Sequence, residues 1–267
     1  AEAVIELTPS EDAAPVSGVH VAGNTESDAR VISCDRLGCV RTWAWNPAGE
    51  ASEPLTSFQT GGAASVASFS ADGSRVAVGD RDRDVAIWDV QDMKASFSAR
   101  NVPYDNLDLA VPVWISALAQ LPGRETCILA GTGYVQSRLR GEVRIYDATV
   151  QRRPVVRSIA PIGEEAVRSV ACTADGRYVI AGSICGTICR LDMRMGLKQV
   201  GAYRQCAGSV RQICTHASQP IFACASLDRH VRVYRVEGSS GAPIHTTYLK
   251  QRLSALLLSE DTSAVDA

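Results

Sequence analysis

Lysine is nearly missing from this chain. Only Lys94, Lys198 and Lys250 occur among the 27 basic residues, so arginine carries almost all of the positive charge. A net charge of −2 argues against a generic polyanion binder and leaves room only for local basic faces. On such a face a planar guanidinium suits bidentate contact with phosphate or carboxylate. No apolar run approaches the ~18–20 residues that a membrane-spanning helix needs, so no membrane partner is expected. The nine cysteines are odd in number and contain no CxxC pair. That usage points to a reducing compartment, with neither a disulfide framework nor a zinc site. Cys34, Cys172, Cys214 and Cys224 fall in apolar strand patterns, where a free thiol behaves as a small hydrophobe.

The signatures of catalysis are missing too. The chain has no G-x-x-x-x-G-K-[ST], no G-x-S-x-G and no H-E-x-x-H. His20, His216, His230 and His245 are scattered through separate segments. His230 closes the turn Asp228-Arg229-His230, and an aspartate in such a turn, as at Asp35 and Asp82, reads as a structural hydrogen-bond acceptor. The pair Glu164-Glu165 adjoins a turn and reads as solvated. No catalytic residue, cofactor, metal or small-molecule substrate is expected.

What the chain does have is a repeat. Val66–Asp89, Trp114–Asp147, Val167–Asp192 and Val210–Arg235 share one grammar: a short apolar strand, a polar turn such as SADG or TADG, a strand of small and β-branched residues, a tight polar turn, and a third strand. A fifth copy at Arg30–Trp45 keeps the second and third strands. Aligning the large residue of the third strand gives Trp43, Trp88, Tyr146, Leu191 and Tyr234, at intervals of 45, 58, 45 and 43. A period of ~40–45 residues closing on Trp-Asp is that of the WD repeat, with four strands to each propeller blade. The fold class expected is therefore all-β, a WD40-type β-propeller forming a single domain over 1–260, with 261–267 starting a polar tail. Tyr248–Lys250 is expected as the outer strand of the last unit and Leu253–Ser259 as an inner strand beyond it. Val4–Thr8 is expected as an outer strand at the front, and Gly18–Gly23 as the next inner strand. Because a ring must close to remove its edges, these unbalanced ends predict a seven-bladed parent with N-terminal blades lying outside this chain.

The long interval of 58 locates the extra material. Part is Ala99–Trp114, ARNVPYDNLDLAVPVW, which follows neither the strand nor the helix period, and part is GYVQSRLRG at Gly133–Gly141. Both connection types emerge on one face of a WD propeller, so a built-up binding surface is expected there. Within the first stretch Val102, Leu107, Leu109 and Val113 are expected to anchor the loop, and Asn101, Tyr104, Asp105 and Asp108 to face a partner. Arg168 and Arg211 occupy matching positions at the start of two first strands, and with Arg229 they are candidates for holding an acidic segment or phosphate. Their alternative role is to pair with a blade aspartate. Arg152 and Arg153 in a basic turn, with Arg138 and Arg140 in the second insertion, are candidate RNA-phosphate contacts. Leu191-Asp192-Met193-Arg194 resembles the Asp-x-Arg box of cullin ubiquitin-ligase substrate receptors. It occurs once, because Asp89 and Asp147 are followed by Val90-Gln91 and Ala148-Thr149.

The non-repeat stretches carry a more specific likeness. ARNVPYDNLDLAVPVW, Val143–Val155, Gly186–Gly196, Ala207–Val236 and Tyr248–Ser259 together resemble the WD-repeat family of large-subunit ribosome-assembly factors, that of Nop-seven-associated protein one and WD-repeat-containing protein seventy-four. The likeness covers roughly residues 28 to 260. It departs from the family at Ala110, where arginine is usual, and in the length of Gly133–Gly141. The resemblance implies a non-enzymatic scaffold on early 60S precursors in the nucleolus and nucleus. Its implied partners are other assembly factors, an AAA-type ATPase that releases it and, as a candidate, pre-ribosomal RNA. The different class left open by Asp192–Arg194 is a cullin-ligase substrate receptor.

Overall fold

The computed structural model describes residues 14–23, 29–45, 53–104, 107–133, 141–159, 161–238 and 241–258. They build five four-stranded antiparallel sheets, each a simple meander in chain order. The first comprises β1 (Val16–Ala22), β2 (Arg30–Asp35), β3 (Cys39–Ala44) and β4 (Thr56–Gln59). The second is β5 (Val66–Phe69), β6 (Arg75–Asp80), β7 (Arg83–Asp89) and β8 (Lys94–Ser98). The third is β9 (Ile115–Leu121), β10 (Arg124–Thr132), β11 (Glu142–Asp147) and β12 (Val156–Ile159), followed by a short connector strand β13 (Pro161–Glu164). The fourth is β14 (Val167–Cys172), β15 (Tyr178–Ser183), β16 (Ile188–Asp192) and β17 (Lys198–Tyr203). The fifth is β18 (Val210–Thr215), β19 (Ile221–Ser226), β20 (His230–Arg235) and β21 (His245–Tyr248). These are the blades of a WD40-type β-propeller. Among the described residues there is no α-helix, only a 3-10 turn at Met193–Met195.

The aligned large residues fall in one register. Trp43 faces Val31, Trp88 faces Val76, Tyr146 faces Ile128, Leu191 faces Val179 and Tyr234 faces Phe222, each across the second and third strands. All but Trp88 are buried. The terminal aspartates of the third strands then cap the turn that follows. Asp89 accepts from the Gln91 and Asp92 amides, Asp147 from Thr149, and Asp192 from Arg194. This is local turn chemistry, which explains why the dipeptide recurs.

The chain divides into two compact units, 1–99 with the first two blades and 100–267 with the other three. In the first unit Ile32, Cys34, Val40, Val76 and Val78 form the core. In the second, one cluster joins the third and fourth blades through Leu129, Val143, Val179 and Leu191. Another joins the fourth and fifth through Ile180, Ile188, Val210, Phe222 and Tyr234.

Two expectations about boundaries change. The inner strand expected at Gly18–Gly23 is present as Val16–Ala22, and with Thr56–Gln59 it completes the first blade around the two strands recognised from the repeat. The outer strand of the fifth blade is His245–Tyr248, earlier than Tyr248–Lys250, since Val231 and Val233 pair with Thr247 and His245. Residues 249–258 form no strand. Instead the side chains of β18 hold them: the Leu256 amide donates to Gln212 Oε1 at 2.9 Å, and the Cys214 thiol donates to the Leu256 carbonyl at 2.9 Å. The expected strand at Val4–Thr8 lies outside the described residues, as do residues 259–267.

Close approach between neighbouring blades depends on glycine. Gly186, in the turn between β15 and β16, has φ +106°, and a Cβ there would sit 2.5 Å from the Cys206 carbonyl oxygen. Gly176 also has positive φ (+67°) but faces open space. Gly186→Ala should therefore cost at least about 3 kcal/mol, from backbone strain plus an immovable backbone contact. Gly176→Ala should cost about 1 kcal/mol, from the strain alone. Urea unfolding of the two variants checks the order.

Candidate partner-binding surface

In a four-stranded meander the second-to-third turn and the connector to the next blade lie at the same end, which makes that end the place where insertions accumulate. The aperiodic stretch 99–114 is such a connector, leading from β8 to β9. Its start is fixed by the Arg100 amide, which donates to the Arg152 carbonyl at 2.8 Å. Asn101 then acts as a clamp inside the loop. Its Nδ2 donates to the Val111 carbonyl, and its Oδ1 accepts from the Val102 amide at 2.8 Å and from Arg144 Nη1 at 3.4 Å. Val102 is buried and Val113 half-buried, in line with their expected anchoring role.

The remaining apolar residues reverse the expectation. Leu107 is 63% exposed and Leu109 58%, beside Tyr104 at 69%. The reason is that the anchoring is polar: Asn101 supplies what the leucines were expected to supply. Asn101 is thus a loop-positioning residue, while Tyr104 and Asp108 are exposed. Asp108 takes φ +55°, a conformation that a short polar side chain tolerates. Asp105, Arg138 and Arg140 lie outside the described residues.

Arg168 and Arg211 prove to be equivalent in a more specific way than repeat alignment alone implied. Val167 faces Ser183 and Ser169 faces Gly182, so Arg168 is an extra residue between them; Arg211 is the same between Val210 and Gln212. Ser17 and Ser116 fill the matching bulge in the first and third blades. A bulge re-aims its side chain, and these two blades place an arginine there. Arg168 Nη1 donates to the Ser116 carbonyl at 2.9 Å in the adjacent blade. Arg211 is half-buried and makes no hydrogen bond or ion pair to a described residue. Arg229 is exposed at φ +67°, its Nη1 3.5 Å from the Tyr248 hydroxyl. Arg152 and Arg153 are exposed in the turn between β11 and β12, so they lie at the opposite end of the blade from the bulge arginines. Arg194 folds back, its Nη2 3.4 Å from Asp192.

A further set of residues does not stand out in the repeat. Two positions before the large third-strand residue stand Arg41, Arg144 and Arg232, each paired with a carboxylate of its own blade. Arg41 meets Asp35 at 3.3 Å, Arg144 meets Glu142 at 2.7 Å and Arg232 meets Asp228 at 2.7 Å. The signal was present as R-x-[WY] at Arg41, Arg144 and Arg232. Period two puts the arginine on the face of the buried aromatic, which forces it to find a counter-charge. Glu142 also holds Arg157 at 2.6 Å. Through Asn101, this buried ion pair carries the loop.

Asp228 shows what the turn acids do. Burial alone would raise its pKa, but the Ala207 and His230 amides and the Arg232 guanidinium outweigh that and hold it below the ordinary carboxylate value. A depressed folded pKa contributes stability that is complete above the unfolded value, about 3.9, and is lost as pH falls through the folded one. Acid unfolding of the wild type should therefore steepen below about pH 4. In Asp228→Asn that limb should be flatter, as followed by fluorescence against pH.

A groove of about 430 Å³ between the fourth and fifth blades is lined by Asp175, Tyr178, His216 and Glu237. The chain fixes these groups on each other. His216 Nδ1 accepts the Ser218 and Gln219 amides at 3.1 Å each, and the Tyr178 hydroxyl donates to Glu237 at 2.6 Å. Among the described residues no group of three His, Cys, Asp or Glu side chains could hold a metal ion.

Comparison with known proteins agrees with the blade geometry. The WD domain, G-beta repeat family matches residues 52–89, 156–190 and 197–235. The chain thus carries WD40 repeats over those residues. Its relatives include WD repeat-containing protein 74 of Homo sapiens, 35% identical over 240 residues, covering 89% of this chain and 60% of the relative. The same protein of Bos taurus is 35% identical over 242 residues with the same shares. Ribosome biogenesis protein NSA1 of Yarrowia lipolytica is 31% identical over 87 residues, 30% of this chain and 20% of that protein. This WD-repeat protein thus spans about 60% of the length of the animal relatives it matches. The fold of the family is typically that of a non-catalytic scaffold, and its loops are where partners dock.

Proposed function

We propose that this WD-repeat protein is a non-catalytic scaffold in assembly of the large ribosomal subunit. It docks other assembly factors on early 60S precursors in the nucleolus and nucleus, and an AAA-type ATPase releases it. The observation that carries this reading is the sustained similarity to WD repeat-containing protein 74, joined to the likeness with a protein named for ribosome biogenesis. The arginines at the bulges and in the exposed 151–154 turn supply sites for an acidic segment or for pre-ribosomal RNA phosphate. The exposed side chains of the 99–114 connector supply an apolar protein contact.

Affinity purification of the tagged protein tests the reading. Recovery of large-subunit precursor RNA and ribosomal proteins is expected. Recovery of a cullin adaptor without ribosomal proteins would overturn it in favour of a substrate receptor acting through Asp192–Arg194.

A further inference from the structure

Arg232 has a second neighbour besides Asp228. The connector 204–209, between β17 and β18, is stitched onto the turn 226–229. The Ala207 amide donates to Asp228 at 3.2 Å, the Ser226 hydroxyl to the Gly208 carbonyl at 3.0 Å, and the Leu227 amide to the Ser209 carbonyl at 3.0 Å. The stitching sets Cys206 Sγ 3.9 Å from Arg232 Nη1. It also packs Cys206 against the core cluster that contains Cys224, which lies directly across β19 and β20 from Arg232. Cys224 is 0% exposed and Arg232 is 6% exposed, whereas Cys206 is half-exposed. Arg232 Nε is buried without a hydrogen-bond partner, so the guanidinium has anion-binding capacity that Asp228 does not use.

We propose that Cys206 and Cys224 are a peroxide-responsive thiol pair, with Cys206 attacking, Cys224 resolving and Arg232 stabilising the attacking thiolate. The neighbouring Cys224 thiol, with further help from Ser226 and Arg232, pulls the Cys206 thiol down to about 6 against the opposing effect of burial. Cys224, buried in the interior beside the Cys206 sulfur, is pushed well above the ordinary thiol value. A thiolate beside a cation, reachable from solvent and next to a second thiol, has the arrangement of an oxidation-sensitive site. The Cys206 sulfur attacks one oxygen of hydrogen peroxide and the O–O bond breaks. The departing hydroxide takes a proton and leaves as water, and Cys206 becomes a sulfenic acid. The Cys224 sulfur then attacks the Cys206 sulfur. The S–S bond forms as S–O breaks, and the hydroxyl leaves as a second water with the Cys224 proton. Two thiols are oxidised by two electrons, and one peroxide is reduced to two waters. The product ties the connector to the middle of β19.

Cys185 is an internal reference. It is exposed in the turn between β15 and β16, yet its thiol makes no hydrogen bond to a guanidinium among the described residues. If exposure alone governed oxidation, Cys185 would react first. The experiment treats the full chain with substoichiometric hydrogen peroxide and maps peptides without reduction, with circular dichroism confirming the fold. The expected result is a Cys206–Cys224 linked peptide lighter by two hydrogens, formed before any change at Cys185. In Cys224→Ser the sulfenic acid should persist at Cys206 and take up dimedone. Earlier modification of Cys185, or linkage of Cys206 to any other cysteine, overturns the assignment. The wild-type arm decides this even if Cys224→Ser folds poorly.

Discussion

Replacing Glu142 by glutamine is expected to lower the unfolding free energy by about 3–5 kcal/mol, the cost of leaving a buried charge without its partner. Arg144 is 2% exposed, and its Nε donates to Glu142 at 2.7 Å. Glutamine keeps the shape and one acceptor but removes the charge that justifies placing a guanidinium beside the fully buried Tyr146. Arg157 would lose its 2.6 Å partner in the same step. Because Arg144 also reaches Asn101, the damage should spread to the connector. Limited proteolysis should then cut between residues 100 and 113 in the variant, under conditions where the wild type resists. Urea unfolding gives the magnitude. A double variant, Glu142→Leu with Arg144→Met, separates charge from packing. Removing both buried ions leaves only the exposed Arg157 without its partner, where water solvates it, so the double variant should be more stable than Glu142→Gln. Equal or lower stability would mean that the network is held by hydrogen-bond geometry and not by charge compensation.

The second large effect falls on binding. Tyr104→Ser, Leu107→Ser and Leu109→Ser combined should weaken association with large-subunit precursors by more than about 100-fold. Truncating two or three interface anchors costs at least about 1–2 kcal/mol each. Stability should change by no more than about 0.5 kcal/mol per site, because all three side chains already face solvent. Asn101→Ala should do the opposite. It removes a clamp of three hydrogen bonds, loosens the loop, and lowers stability together with binding. Sucrose-gradient co-sedimentation, paired with urea unfolding, distinguishes the two behaviours. If the triple variant sediments with precursors as the wild type does, the exposed apolar residues are not the docking surface, and the bulge arginines become the better candidates.

The two effects were not equally legible. A repeat with a fixed interval is a local signal, and strands, turns and capping aspartates follow from residues within a few positions of each other. Trp43, Trp88, Tyr146, Leu191 and Tyr234 therefore aligned correctly from sequence alone, and all five occupy the same register opposite the second strand. The aperiodic connector offered no such signal. Its apolar residues looked like anchors because burial is the usual fate of leucine. What actually anchors it is an asparagine bonded to an arginine 43 positions away.

The sequence by itself determined the blade architecture, the alignment of the third strands and the place where the repeat is interrupted, since each is encoded in short-range alternation and turn chemistry. Only the tertiary structure decided which connector side chains stay exposed, that Arg168 and Arg211 are bulge residues, and that three strand arginines each required a carboxylate. It alone brought Cys206 to Cys224 and Arg232. These outcomes depend on which groups the fold brings within hydrogen-bonding distance. Pairings across tens of residues are set by the packing of blade against connector, and no periodicity along the chain records them.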